Sequence, residues 1–336
     1  MKKYRRPAAV GVVASAIVCA WLTAVPASGQ SRTAAASTFA GKTPWGDPDL
    51  QGIWTMWDPT PLQALGPTDP AVLAAAASDD RRKWVYQGKD YPYVGLGSGM
   101  GREHTSPVPA RRQSLVVDPE NGRIPVIPSA VRRSATLREL FDTWENHSVW
   151  GRCIAVGVPG RLLLGGALVE GDSTGYNKAY EIFQAPGYVV LFLEIMHEAR
   201  VIPLDGRPHV GRDIDLWNGD SRGRWDGQTL VVETTNFNSR GDGKGGVPQT
   251  PALRVVERFT RVDEKTLQYE TTLTDPNVYS RPWTARQPHN LDPNYTIYEY
   301  ACHEGNQRYM ENALKQGRAR DEEQAAAAAK NKRNDQ

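Results

Sequence analysis

Three histidines, with arginines and carboxylates near them, carry most of the chemical potential of this chain. His197 follows the apolar run 188–196 and stands three residues after Glu194; His209 follows the tight turn Asp205-Gly206-Arg207-Pro208; His303 follows Cys302 and precedes Glu304. Imidazole changes charge near neutral pH, so such a set could supply a general base or acid. Arg200, Asp220 and Arg222 are candidate companions, because guanidinium groups can meet a developing oxyanion. If these segments converge on one mouth of a barrel, His197, His303 and Glu304 form a catalytic set. Arg200, His209, Asp220, Arg222, Arg224 and Trp225 then form a ligand-binding rim. The alternative is local: each histidine hydrogen-bonds nearby and pins its own turn.

A metal site is poorly specified by the same residues. Glu194 and His197 would share a face on a helix, but on a strand this spacing puts them on opposite faces. A three-histidine site would have to gather distant segments, and the spacing carries no ligand signature. No metal and no cofactor is named by the sequence.

Residues 219–223, G-D-S-R-G, fit the G-x-S-x-G nucleophile elbow, which requires a strand before it and a helix after it. Here residues 225–227 read as a turn and 229–237 alternate as a strand. A second copy, G-D-S-T-G, stands at 171–175, again with no helix after it. Two copies in that setting indicate a shared turn type, since Asp and Ser stabilise turns through side-chain to backbone hydrogen bonds. Ser221 is thereby demoted as a nucleophile. What remains is a polar corner of Asp220, Arg222, Arg224 and Trp225 at the entry to a strand. Its arginines either recognise an anion bidentately, stack on Trp217 or Trp225, or pair with Asp220 or Asp226.

The elements that must position these residues are mostly strands. From Tyr180 onward the hydrophobic period is two: 180–184, 188–196, 199–204, 229–237, 253–262, 266–274 and, as the last strand, 295–302. No helix intervenes, which disfavours a parallel α/β sheet. Upstream, Gly52-x-Trp54 opens a first strand and 114–126 reads as a hairpin. Segments 71–86 and 134–150 read as helices. The glycine-rich run 95–101 follows no strand and opens no helix, so it reads as a loop and not a phosphate cradle. Residues 311–336 are helix-forming, with a mobile charged tail from 322. The expectation is a mainly β chain: an antiparallel meander forming a calycin-like barrel or strongly curved sheet, with a few peripheral helices. Closure would remove exposed strand edges.

Residues 1–30 read as a secretory signal: a basic start, an apolar run at 8–25 and small residues at 27–29. Residues 31–43 are a linker, 44–306 a single β-rich domain and 307–336 the C-terminal helix and tail. The signal holds four of the 40 basic residues and none of the 38 acidic ones, so the mature chain carries 36 against 38. That balance implies no basic surface and no nucleic-acid partner. No stable membrane anchor is expected after cleavage, and the predicted location is periplasmic or secreted. The mature chain keeps Cys153 and Cys302, which in an exported protein read as one disulfide, the alternative being two unpaired thiols. The 24 prolines, 31 glycines and 10 tryptophans favour short strands and tight turns over helical bundles.

Several segments together resemble a family of exported bacterial proteins of unassigned function. They are PWGDPDLQGIW at 44–54, SLVVDPENGRIP at 114–125, FDTWENHSVWGRCI at 141–154, IFQAPGYVV at 182–190 and HEARVIPLDGRPH at 197–209. GDSRGRWDGQTLVVETTNFN at 219–238, VVERFTRVDEKTLQYETTLTDP at 255–276, RPWT at 281–284 and YEYACHEGN at 298–306 complete the set. Gly52-x-Trp54 is similar to the Gly-x-Trp that opens lipocalin-like barrels, where the Trp plugs the closed end. The resemblance implies an exported, β-rich, calycin-like chain and brings no catalytic residues with it.

Three functions follow as expectations. The first is an exported small-molecule-binding barrel for an apolar or aromatic ligand, oriented by Arg and His at the mouth. The second is a secreted hydrolase, lyase or isomerase using His-centred acid–base chemistry at that mouth. The third is a structural or interaction protein of the envelope. The sequence leaves the oligomeric state open.

Overall fold

The computed structural model describes residues 39–56, 60, 62–64, 114–131, 147–163, 177, 179–241, 244 and 247–334. The expected signal at 1–30, linker residues 31–38, the helix expected at 71–86, residues 134–146 of the helix expected at 134–150, the loop 95–101 and the G-D-S-T-G copy at 171–175 lie outside them. Among the described residues no helix is long and apolar enough to cross a membrane.

Ten strands form one antiparallel sheet. They are β1 (Gly52–Thr55), β2 (Val116–Asp118), β3 (Ala179–Ala185), β4 (Tyr188–Leu193), β5 (Glu198–Pro203), β6 (Asp220–Asp226), β7 (Thr229–Thr235), β8 (Arg254–Arg261), β9 (Thr266–Thr274) and β10 (Trp283–Leu291). The spatial order is β5-β4-β3-β1-β10-β9-β8-β7-β6, with β2 paired beside β10. A helix, α1 (Asn306–Asn334), follows.

The parity of this order decides how the sheet ends. Nine strands joined by antiparallel pairings leave the first and last, β5 and β6, running the same way. The sheet curls until these two edges meet, forming a nearly closed barrel, yet no backbone ladder joins them. Side chains make the contact: Arg200 Nε donates to Ser221 Oγ at 2.8 Å. At Gly223 there is no room for a Cβ, which would stand 2.8 Å from Ile202 Cγ2 and 2.6 Å from Leu204 Cδ2. Neighbouring strands of the same direction need a crossover of a dozen or more residues. Residues 204–219 supply it, running as a strap beside β6.

Alternation along each strand sends one set of side chains inward. Val255, Glu257 and Phe259 of β8, Leu267, Tyr269, Thr271 and Leu273 of β9, and Trp283, Ala285, Gln287 and His289 of β10 are all buried. On the outer face of β6–β10, ion pairs cross the strands: Arg254 with Glu233, Arg258 with Asp226, Arg286 with Glu270. Such exposed pairs keep the surface solvated and add little stability.

One end of the barrel is plugged by the opening motif. Trp54, fully buried, donates from Nε1 to Leu50 O at 2.9 Å, and the Arg261 guanidinium stands 5.4 Å from its ring centroid. Gln184 holds the plug's backbone, accepting from Leu50 N at 2.7 Å and donating to Pro48 O at 3.0 Å. Across the other end lies segment 147–163. Val156 N donates to Glu198 Oε2 at 3.3 Å, Lys244 Nζ donates to Gly160 O at 3.0 Å, and the Cys153–Cys302 disulfide fastens the segment to the chain after β10.

Several elements differ from expectation. Residues 295–302 are not the last strand; that place belongs to β10, hidden in the sequence by Pro288. Proline is tolerated there because no donor is needed. Arg286 N turns away from β9 to donate to Leu115 O, so Pro288, two residues on, faces the gap between β2 and β1. The Gln287 side chain closes part of that gap by donating to Met56 O at 3.0 Å. Residues 114–126 are not a self-paired hairpin, because β2 pairs with β10 and Val126 bridges Tyr279. Residues 147–153 are a succession of turns, and α1 continues through the charged tail to Asn334.

Gly219, just before β6, has φ +65°, and a Cβ there would lie 2.5 Å from Thr235 O and 2.7 Å from Thr234 Cγ2. Left-handed backbone and a backbone clash add, so Gly219→Ala is expected to cost about 2 kcal/mol or more, read from the urea midpoint. A shift under ~0.5 kcal/mol would contradict this account.

Candidate functional site

The corner expected at 219–226 is a strand and not a turn. Asp220, Arg222, Arg224 and Asp226 point outward, while Ser221, Gly223 and Trp225 point in. Glycine and serine read as a turn, and they occupy two of the three inward positions, Ser221 and Gly223. They are small because β6 lies close against Ile202 and Leu204.

Of the expected rim residues, three come together. Asp220 accepts from His209 Nδ1 at 2.9 Å, from Val210 N at 3.2 Å and from Arg222 Nη1 at 2.6 Å. Arg222 Nε also donates to Pro208 O at 3.1 Å. The bonds from His209, Val210 and Pro208 tie the strap to β6, and the Arg222–Asp220 pair within β6 braces their partners, so this cluster fastens the crossover. Arg224 is exposed, and Trp225 is partly buried against the core.

His197 and His303 do not join that cluster. His197 is exposed in the turn Ile195–His197 between β4 and β5, with φ 41° after Met196 at φ 61°. His303 and Glu304 are exposed in the turn after Cys302. Among the described residues no group of three His, Cys, Asp or Glu side chains could hold a metal ion.

Arg200 turns inward, and the richest polar constellation lies there. Its Nε donates to Ser221 Oγ, and its Nη2 donates to Thr234 Oγ1 at 2.8 Å and to Glu257, with which it forms a buried ion pair. Tyr269 OH donates to the other Glu257 oxygen at 2.9 Å. The Tyr269 ring stacks on His289 with centroids 5.0 Å apart, and His289 Nδ1 meets Tyr180 OH at 2.7 Å. In order around the barrel, β5, β6, β7, β8, β9, β10 and β3 each contribute one polar side chain to this belt.

Electrostatics follow from burial. The Arg200 guanidinium is disfavoured by desolvation, but the charge and hydrogen bond of Glu257, with Tyr269 and Glu198 adding to them, together outweigh this and hold it charged. Burial, then the Glu257 charge, pushes the Tyr180 and Tyr269 phenols well above their usual range, so both stay protonated as donors. His289 Nε2 must carry its proton, because it bonds Leu162 O at 3.1 Å and a carbonyl only accepts. Nδ1 is then the acceptor for Tyr180 OH.

Burial depresses His289 to about 3 from an ordinary 6.5. Below 6.5 the unfolded chain binds a proton that the folded chain does not, so stability falls with falling pH. The expected slope is about 1.4 kcal/mol per pH unit, roughly 2 kcal/mol by pH 5. The check is urea unfolding of wild type and His289→Gln from pH 7 to 4. The difference between them should vary with this slope, and parallel profiles would sink the assignment.

The belt was missed in the sequence, although part of its signal was present. Glu257 alternates with Val255 and Phe259 in an expected strand, so period two already placed it on the buried face, whereas His289 lies on the strand that Pro288 concealed. A carboxylate at an inward strand position implies a buried partner. Which partner could not be read, since Arg200 lies 57 residues away along the chain.

One feature of the belt is uncommitted. The hydrogen bonds of Arg200 use Nε and Nη2; among the described residues Nη1 has no partner, and it is not among the sealed polar atoms that lack one. The side chain keeps 7% of its surface accessible. Arg200 therefore keeps N–H donors at Nη1 without a partner among the described residues, on a side chain that turns inward from β5. Comparison with protein-family models, with curated proteins and with solved structures finds no match to this chain.

Proposed function

We propose that this protein is an exported small-molecule-binding barrel whose ligand is apolar or aromatic and carries a neutral oxygen acceptor that meets Arg200 Nη1. The observation that carries the reading is the spare donor pair of a buried, charge-neutralised arginine. Burying an ion pair seldom stabilises more than apolar packing of the same volume, so its presence inside the barrel favours a role in recognition. Glu257 already neutralises Arg200. A carboxylate ligand would place two negative charges around one guanidinium in a low dielectric, and a ketone, amide or ester would not. Recognition thus sits inside the barrel and not at the Asp220 rim. An acid–base enzyme centred on His197 and His303 draws less support, since both rings are exposed on separate turns. Export rests on the basic, apolar and small-residue order of 1–30 and fits the Cys153–Cys302 disulfide, which persists in oxidising compartments.

The test is fluorescence titration with 6-propionyl-2-(dimethylamino)naphthalene, a neutral aromatic ketone, beside N-phenyl-1-naphthylamine, which lacks the carbonyl. Wild type is expected to bind both. Arg200→Met/Glu257→Gln, which removes the donors and the charge together, should weaken the ketone about tenfold or more, the worth of a hydrogen bond to a charged donor. The amine should be little affected. Equal affinity for the ketone in both proteins, or no binding of either probe, would overturn the proposal.

A further inference from the structure

We infer that the β5–β6 seam is the ligand's route into the barrel, a lateral door latched by Arg200; this rests on the binding reading above. Both ends are obstructed, one by Trp54, Leu50 and Arg261, the other by segment 147–163, whose Leu162 carbonyl reaches inward to His289. Every other junction around the ring is a backbone ladder, with registered pairs from β5 through β10 to β6. The β5–β6 junction is the exception: its two strands run the same way, and no ladder pairs them. Separating these edges breaks no backbone hydrogen bond.

Among the described residues side chains hold the seam, and at its β5 start Glu198 accepts from Asn218 Nδ2 at 2.7 Å. On the inside, Arg200 of β5 reaches Ser221 of β6, Thr234 of β7 and Glu257 of β8. On the outside, the strap is fastened to β6 through Asp220 and Arg222. The residue that latches the door is also the one offering the spare donors. A ligand oxygen arriving at Nη1 therefore meets Arg200 at the seam itself, and entry and recognition share one side chain. The strap sets the limit of travel, since it joins the end of β5 to the start of β6.

The experiment crosslinks the seam. A Cβ at Gly223 lies 2.8 Å from Ile202 Cγ2, which brings the two Cβ positions within disulfide reach. The variant Ile202→Cys/Gly223→Cys is compared with wild type, each oxidised and each treated with the same mild reductant, so that effects on Cys153–Cys302 cancel. The first readout is the stopped-flow rate of N-phenyl-1-naphthylamine uptake. Oxidation should slow uptake at least tenfold in the variant, reduction should restore it, and wild type should not respond. Uptake at the same rate through a closed crosslink overturns the inference.

The second readout is hydrogen exchange of wild type without any probe. Amides of β5 and β6 should exchange at least tenfold faster than those of β8 and β9. Equal protection overturns the door whatever the probes do. If no probe binds while the seam still exchanges fast, the binding reading alone has failed. Single Gly223→Ala serves as a folding control, because it adds bulk at the same point without a bond.

Discussion

Removing one partner of the Arg200–Glu257 pair is expected to lower stability by about 3–5 kcal/mol, whereas removing both together should cost far less. Glu257 is fully buried and Arg200 nearly so. Substituting Arg200→Met leaves the Glu257 carboxylate with Tyr269 as its remaining hydrogen-bond donor. A buried carboxylate without a counter-charge takes up a proton, so the deficit relative to wild type should shrink as pH falls from 8 toward 5. Glu257→Gln leaves the guanidinium unpaired instead, and its deficit should not shrink over that range. In Arg200→Met/Glu257→Gln no charge remains, and the Gln oxygen can still accept from Tyr269 OH. Urea unfolding of the three variants across pH measures this directly. Additive losses in the double variant would mean that the two groups do not act as a pair.

The second large effect belongs to the disulfide. Cys153 and Cys302 are bonded across 149 residues. In the chain-entropy model, closing a loop of that length restricts the unfolded chain by about 5 kcal/mol. Cys153→Ala, Cys302→Ala and the double variant should lose about the same amount, because either substitution removes the whole constraint. The folded state loses an anchor too. Cys302 holds the chain after β10 against segment 147–163, beside the Asn306 Nδ2 bond to Gly151 O at 3.2 Å. Glu194 fixes the same stretch from the other side, accepting from Tyr295 OH at 2.8 Å and Tyr298 N at 2.9 Å. Segment 295–304 should therefore become sensitive to proteolysis in the variants, while β8 and β9 stay protected. A wild-type midpoint indifferent to reductant would contradict the prediction.

The two strands most easily found in the sequence, β8 and β9, show why local pattern succeeds. Val255, Glu257 and Phe259, and Leu267, Tyr269, Thr271 and Leu273, face inward by strict alternation. A half-buried antiparallel strand writes that period into its own residues. β6 and β10 broke the pattern for reasons that lie elsewhere in the fold. Gly223 is small because Ile202 and Leu204 come close, and Pro288 is tolerated because the neighbouring strands leave a gap there.

The candidate site divides in the same way. His209, Asp220 and Arg222 were legible as a group because only 13 residues separate the first from the last, and the structure joins them. Their task is visible only once β5 and β6 are seen to run the same way, which makes the strap between them necessary. His197 and His303 carried the right chemistry, but each occupies its own exposed turn.

By itself the sequence determined the strand-rich class, the antiparallel meander and which residues of β8 and β9 alternate inward, and it pointed to one disulfide, because these depend on composition and short-range period. The tertiary structure decided that nine strands form the ring, that its last junction carries no ladder, and that Arg200 crosses that junction to Glu257. Strand parity and long-range partnership are properties of the closed sheet as a whole, and no local window of residues contains them.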